Sequence, residues 1–149
     1  MVSSAQLRHL AEIRQGTHMF QADLNRAVHG VQKHPWVESA SARRHFPGTV
    51  EVTVHEHKPE LLVALDRLWY ADARGHVFKQ ADPTRMDFPI LTGLQPDIMT
   101  EHPPLGRRII SSAFSLLRAL EAGGPVDPSQ LSELHFDSHR GFTLVLRNS

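Results

Sequence analysis

Cysteine is absent from the 149-residue chain. Its absence excludes disulfides, thiolate metal sites and a cysteine nucleophile, but is compatible with an oxidising or a reducing compartment. An excess of charge is missing as well. Lys plus Arg and Asp plus Glu number 16 each, so no net field favours a phosphate backbone or an anionic membrane, and only local patches remain. Nucleic acid is therefore not an expected partner. Long apolar runs are also lacking: the start MVSSAQLRHL has no basic stretch followed by an apolar one, and the longest aliphatic stretch is Leu61 to Leu65. A membrane-spanning helix needs roughly 18 or more apolar residues. No internal repeat, low-complexity tract, glycine-rich phosphate loop or G-x-S-x-G elbow occurs. What is present is a 40% hydrophobic fraction, enough for a packed core in one domain or two small ones.

The patterning predicts an α+β chain. Ser3 and Gln6 fit a capping box, and Leu7, Leu10, Ala11 and Ile13 share one helical face over residues 4–15, with Gly16 as the stop. After the linker Thr17 to Ala22, Asp23 can cap a second helix carrying Leu24, Ala27, Val28 and Val31, closed by Pro35. From Val37 the period shortens. Ala40 and Ala42 precede Phe46-Pro47-Gly48, and Val50, Val52 and Val54 then alternate with polar residues, which reads as a hairpin with one buried face and a positive-φ glycine in its turn. Pro59 closes this α-α-β-β unit, assigned to residues 1–58. A β-rich unit over 59–149 follows, with strands near Leu61–Leu65, Leu68–Ala71, His76–Lys79, Phe88–Leu91, Leu131–Phe136 and Phe142–Leu146. Gln95 to Leu105 reads as loop, and Ile109, Ala113, Leu116, Leu117 and Leu120 mark one amphipathic helix ended by Gly123-Gly124.

Several of these stretches resemble a known pattern in order and spacing. His34-Pro35-Trp36-Val37, Ala40-x-Ala42-Arg43-Arg44-x-Phe46-Pro47 and Val50-x-Val52-x-Val54-x-Glu56-x-x-Pro59 are similar to the succession PWV, A-x-V-x-R-x-(W/F)-P, (L/V)-x-I-x-V-x-E-x-x-P of the FtsQ/DivIB bacterial cell-division family. Leu68-Trp69-Tyr70-Ala71-Asp72, Gly75-x-Val77-Phe78, Phe88-Pro89-Ile90-Leu91-Thr92-Gly93 and Arg140-Gly141-Phe142-x-Leu144-x-Leu146 continue the likeness. The resemblance implies a POTRA domain of order β-α-α-β-β followed by a β domain. It also implies a membrane-anchored protein on the periplasmic side of the inner membrane, acting as a scaffold in septum formation and not as an enzyme. Relative to that pattern the chain is expected to lack the membrane helix, the first POTRA strand before Ser3 and the last β-domain strands after Asn148-Ser149. Expected partners are other division proteins, namely upstream divisome components and FtsB/FtsL-like coiled-coil proteins, which in the family dock by adding a strand at the terminal edge of the β domain.

The residues singled out for partner binding are Arg43, Arg44, Arg140 and Phe142. Strand alternation puts Arg43 and Arg44 on opposite faces without saying which points outward. Arg140 offers a planar guanidinium just before the aromatic Phe142. No cofactor or metal is expected. His55 and His57, two apart on a strand, could point the same way, but a third ligand is not identifiable. Trp36 reads as a core anchor, and Glu56 as a structural acid near the end of the first unit. Two competing readings are a POTRA module of outer-membrane assembly or secretion, opposed by the segment after Pro59, and a histidine-metal hydrolase, which metal analysis with a hydrolase screen would decide.

Overall fold

The computed structural model describes residues 2–13, 16, 23–82, 84, 88–124 and 126–147. The linker Thr17–Ala22 and the terminal Asn148 and Ser149 lie outside the described residues. The chain divides into two units, Met1–His57 and Lys58–Ser149.

In the first unit, α1 spans Ser4–Ala11 and opens on the capping box: the Gln6 amide donates to Ser3 Oγ at 3.3 Å and the Ser3 amide to Gln6 Oε1 at 3.0 Å. The helix ends earlier than the periodicity suggested. Glu12, at φ 53°, takes the left-handed conformation that terminates it, so the stop precedes Gly16. Helix α2, Leu24–Gln32, opens on Asp23, whose side chain accepts the Arg26 amide at 3.1 Å. Ala27 and Val31, one turn apart, are fully buried on its inner face. The two helices approach closely at Gly30, where a Cβ would lie 2.0 Å from the Leu10 carbonyl oxygen.

Strands β1, Val37–His45, and β2, Thr49–Glu56, form an antiparallel pair with Ala40 opposite Val54, Ala42 opposite Val52 and Arg44 opposite Val50. The turn differs from the expected one. Gly48 is not at positive φ, and the Phe46-Pro47 peptide bond is cis. The valine face is half-buried and not fully so: Val52 and Val54 pack on the cluster of Ala11, Ala27, Val31 and Val37, whereas the strands run on past it. Trp36 is half-buried, and it is the adjacent Val37, 6% exposed, that enters the core.

The second unit is a six-stranded sheet of order β5-β4-β3-β6-β7-β8, made of β3 Leu61–Ala64, β4 Leu68–Ala71, β5 Val77–Gln80, β6 Ile90–Thr92, β7 Leu131–Asp137 and β8 Gly141–Leu146. The β3–β6 and β6–β7 pairs are parallel and the others antiparallel. Gln95–Leu105 is not a plain loop. It holds the short helix α3, Ile98–Glu101, and the start of α4, Pro103–Glu121. Pro103 and Pro104 fall in the first turn, where a missing N–H costs nothing and a fixed φ suits the helix. Helix α4 lays Ile109, Ile110, Ala113, Leu117 and Leu120 on one sheet face, against Leu61, Val63, Leu91 and Leu134. The opposite face carries a smaller cluster around Leu62, where Tyr70 stacks on Phe78 and meets Phe88 edge-on, both at 6.2 Å.

Candidate interaction surface

The first pair of selected residues sits near the end of the β1–β2 hairpin. Register settles which arginine points where. Arg44 lies on the face of Ala40, Ala42 and the valines, while Arg43 lies on the other face, opposite Glu51. Both are exposed, because the core gathers at the Val37 end of the ribbon. On the Arg43 face His45 Nε2 meets Glu51 Oε2 at 2.6 Å, and Phe46 at the tip is 81% exposed.

Arg140 and Phe142 belong to the second unit, at the β7–β8 turn. Asp137 Oδ1 accepts the amides of His139 at 2.8 Å and Arg140 at 3.0 Å, and Gly141 at φ 79° completes the reversal at low steric cost. This clamp fixes the backbone of Arg140 and leaves its side chain exposed. Phe142 is half-buried, its ring 5.3 Å from that of Phe136 and packed on the core beneath α4. Strand β8 pairs with β7 alone among the described residues, so its outer edge presents unpaired main-chain groups beside Val145 and Leu146, 40% and 41% exposed. The geometry can therefore receive a strand along β8 and offer a cation at the end of that edge.

Other polar groups resolve into structural roles. Glu56 Oε1 accepts the Val2 amide at 2.9 Å, tying the start of the chain to the end of β2. His55 is exposed on β2, and His57 lies past that strand with its amide donating to the Trp36 carbonyl at 2.9 Å. One cluster was not legible beforehand. On the face away from α4, the Thr92 hydroxyl donates to Glu133 Oε1 at 2.5 Å and lies 2.9 Å from His135 Nδ1. With its proton given to Glu133, Thr92 is left to accept from His135, which makes the trio a clasp between β6 and β7. Thr92 lies 41 and 43 residues before its two partners, so local spacing held no trace of the trio. A surface groove of about 480 Å³ also opens between Trp69, Leu65, Val77, Met99 and Arg107, with Trp69 Nε1 held by Asp66 at 3.0 Å.

Set beside known proteins, residues 1–57 match the POTRA domain of FtsQ type. The chain is 33% identical over 96% of its length to the cell division protein FtsQ of a Geobacter species, covering 53% of that relative. It is 36% identical over 91% of its length to that of Syntrophotalea carbinolica and 34% over 93% to that of an Anaeromyxobacter species, covering 48% of each. The chain is thus similar to FtsQ proteins over more than nine-tenths of its length, and its first 57 residues match the FtsQ-type POTRA domain. It spans about half the length of the FtsQ relatives it matches. The match reaches well past the POTRA segment, so the sheet that carries Arg140 and Phe142 is part of the FtsQ likeness as much as the hairpin that carries Arg43 and Arg44. No helix among the described residues is long and apolar enough to cross a membrane.

Proposed function

We propose that the intact protein is a non-catalytic scaffold of the divisome, anchored in the inner membrane and binding other division proteins on its periplasmic side. Residues 1–58 are taken as its POTRA-like domain and 59–149 as part of its β domain, with FtsB/FtsL-like coiled-coil proteins and upstream divisome components as partners. The observation that carries the reading is the FtsQ likeness over more than nine-tenths of the chain. The β7–β8 hairpin supports the finer part, because a clamped, exposed Arg140 lies at one end of an edge strand able to pair with an incoming segment.

Titrating the periplasmic segment of the coiled-coil partner into the full extracytoplasmic region, and into its Arg140→Glu variant, tests both levels. Saturable binding by the parent is expected. The variant should bind about tenfold more weakly, because a donor to a partner carboxylate becomes a repelling charge. Absence of binding by a folded parent would reject the partner assignment. Equal affinities would remove Arg140 from the interface and leave it as the end of a solvated turn.

A further inference from the structure

The scaffold reading leaves the groove of the second unit unused, and two close approaches build its walls. At Gly75, φ 79°, a Cβ would collide with the Arg107 carbonyl oxygen, so the turn between β4 and β5 seats directly on the backbone of α4. At Gly106 a Cβ would meet Met99 Sδ, which brings α3 in against the same turn of that helix. The β4–β5 turn is clamped from within as well. Asp72 Oδ1 accepts the amides of Arg74 and His76, both at 2.9 Å. The groove is therefore formed before anything enters it.

Its lining divides by chemistry. Leu65, Val77 and Met99 rest on the core under α4 and form an apolar floor. Trp69 is half-buried beside them, with its Nε1–H given to Asp66 Oδ1 at 3.0 Å, so that the indole is held in place and offers carbon to an occupant. Arg107 is exposed at the same groove, and its side chain has no partner among the described residues. Trp and Arg are among the side chains most enriched where proteins bind proteins. A volume of about 480 Å³ has room for more than one side chain.

We propose that this groove docks a short segment of a partner protein that carries an apolar side chain and a carboxylate, the first lying on Trp69 and the second paired with the Arg107 guanidinium. Planar, forked donors suit a carboxylate better than any other anion a polypeptide carries. The site is separate from the β8 edge, since it uses β4, β5, α3 and α4 and leaves Arg140 and Phe142 untouched.

The test uses a panel of acetylated, amidated hexapeptides in which one leucine or phenylalanine stands one to three positions from one glutamate, each with its glutamine counterpart. They are titrated into the isotope-labelled chain, and the Trp69 indole N–H and the Arg107 side-chain N–H are followed by NMR. At least one glutamate peptide should shift both signals saturably, and its glutamine counterpart should bind about tenfold more weakly. Arg107→Gln, at an exposed position, should fold as the parent does and bind both peptides alike at the weaker level. Trp69→Leu, which keeps the strand apolar, should weaken both by about tenfold. No saturable shift with any peptide, or equal affinities of the glutamate and glutamine forms for the parent, would overturn the proposal. So would phenylbutyrate binding as tightly as the best peptide, which would make the groove a small-molecule site. Trp69 shifts that grow with protein concentration alone would overturn it too, by making the groove a contact between copies of this chain.

Discussion

The two units use apolar residues in opposite ways. In the first, Val50, Val52 and Val54 alternate with polar residues, one face of a two-stranded ribbon meets two short helices, and the valines end half-buried. In the second, Leu61, Leu62 and Val63 follow one another without alternation, and all three are fully buried because β3 sits inside a sheet covered on both faces. Alternation therefore marks a surface strand and an unbroken run a central one. The first unit leaves much of its ribbon to solvent, whereas the second keeps its exposed apolar residues largely to an edge.

Placing the same charge in each unit gives the largest contrast. Leu62→Asp buries an unpaired carboxylate where nothing reaches water and should cost at least about 4 kcal/mol, unfolding the second unit at ambient temperature. Val52→Asp lies on the half-buried face, where the carboxylate can turn to solvent, and should cost about 1–3 kcal/mol. Chemical denaturation followed by hydrogen exchange resolved to each unit would separate them. Equal losses would mean that the ribbon is as deeply buried as the central sheet.

Close packing in the first unit is concentrated where the helices meet. Replacing a helical glycine by alanine ordinarily gains about 0.5–1 kcal/mol. At Gly30 the new methyl would collide with the Leu10 carbonyl oxygen, so Gly30→Ala should instead lose about 1–3 kcal/mol. A raised melting temperature would show that α1 can move away freely. Smaller still is Ser3→Ala, which opens the capping box of α1 and should cost about 1 kcal/mol, read as earlier exchange of the α1 amides.

The smallest effect belongs to the second unit. The Asp127 carboxyl is held below the usual carboxylate range by the hydrogen bond from the Ser129 amide, then by that from the Ser129 side chain, against a weaker desolvation. Since the folded pKa is the lower one, its stabilising contribution is present above the ordinary aspartate range and disappears as pH falls through the lowered value. Asp127→Asn should thus melt slightly below the parent at neutral pH and coincide with it in strong acid. A gap that widens in acid would reverse the sign and dismiss the hydrogen bonds as its cause.

How far the sequence foretold all this depended on the reach of each signal. Caps at Ser3 and Asp23, the hairpin and the apolar stripe of α4 are written within a few residues, and each stands where the pattern placed it. Boundaries failed where one residue type serves two ends. Gln95 to Leu105 reads as loop although Pro103 and Pro104 open α4, and the left-handed stop of α1 fell on Glu12, a residue that seldom takes that conformation. At the candidate surface, Arg43, Arg44 and Arg140 could be picked out by type, but their facing needed register and the Asp137 clamp. The Thr92, Glu133 and His135 clasp needed the strand order itself.

That strand order also bears on how quickly each unit can form. The β1–β2 ribbon closes across a three-residue reversal, so its contacts grow outward from a short loop. At the centre of the other sheet, β6 joins two strands side by side in the same direction: Leu62 meets Ile90, and Thr92 meets His135 only after the whole of α4 has been traversed. Loop-closure entropy must be spent before those pairings return anything, and antiparallel partners at either end cannot align the middle for them. The central parallel pairings are therefore the slow step of assembly, and a chain emerging from synthesis leaves the far edge of β6 unpaired until β7 arrives.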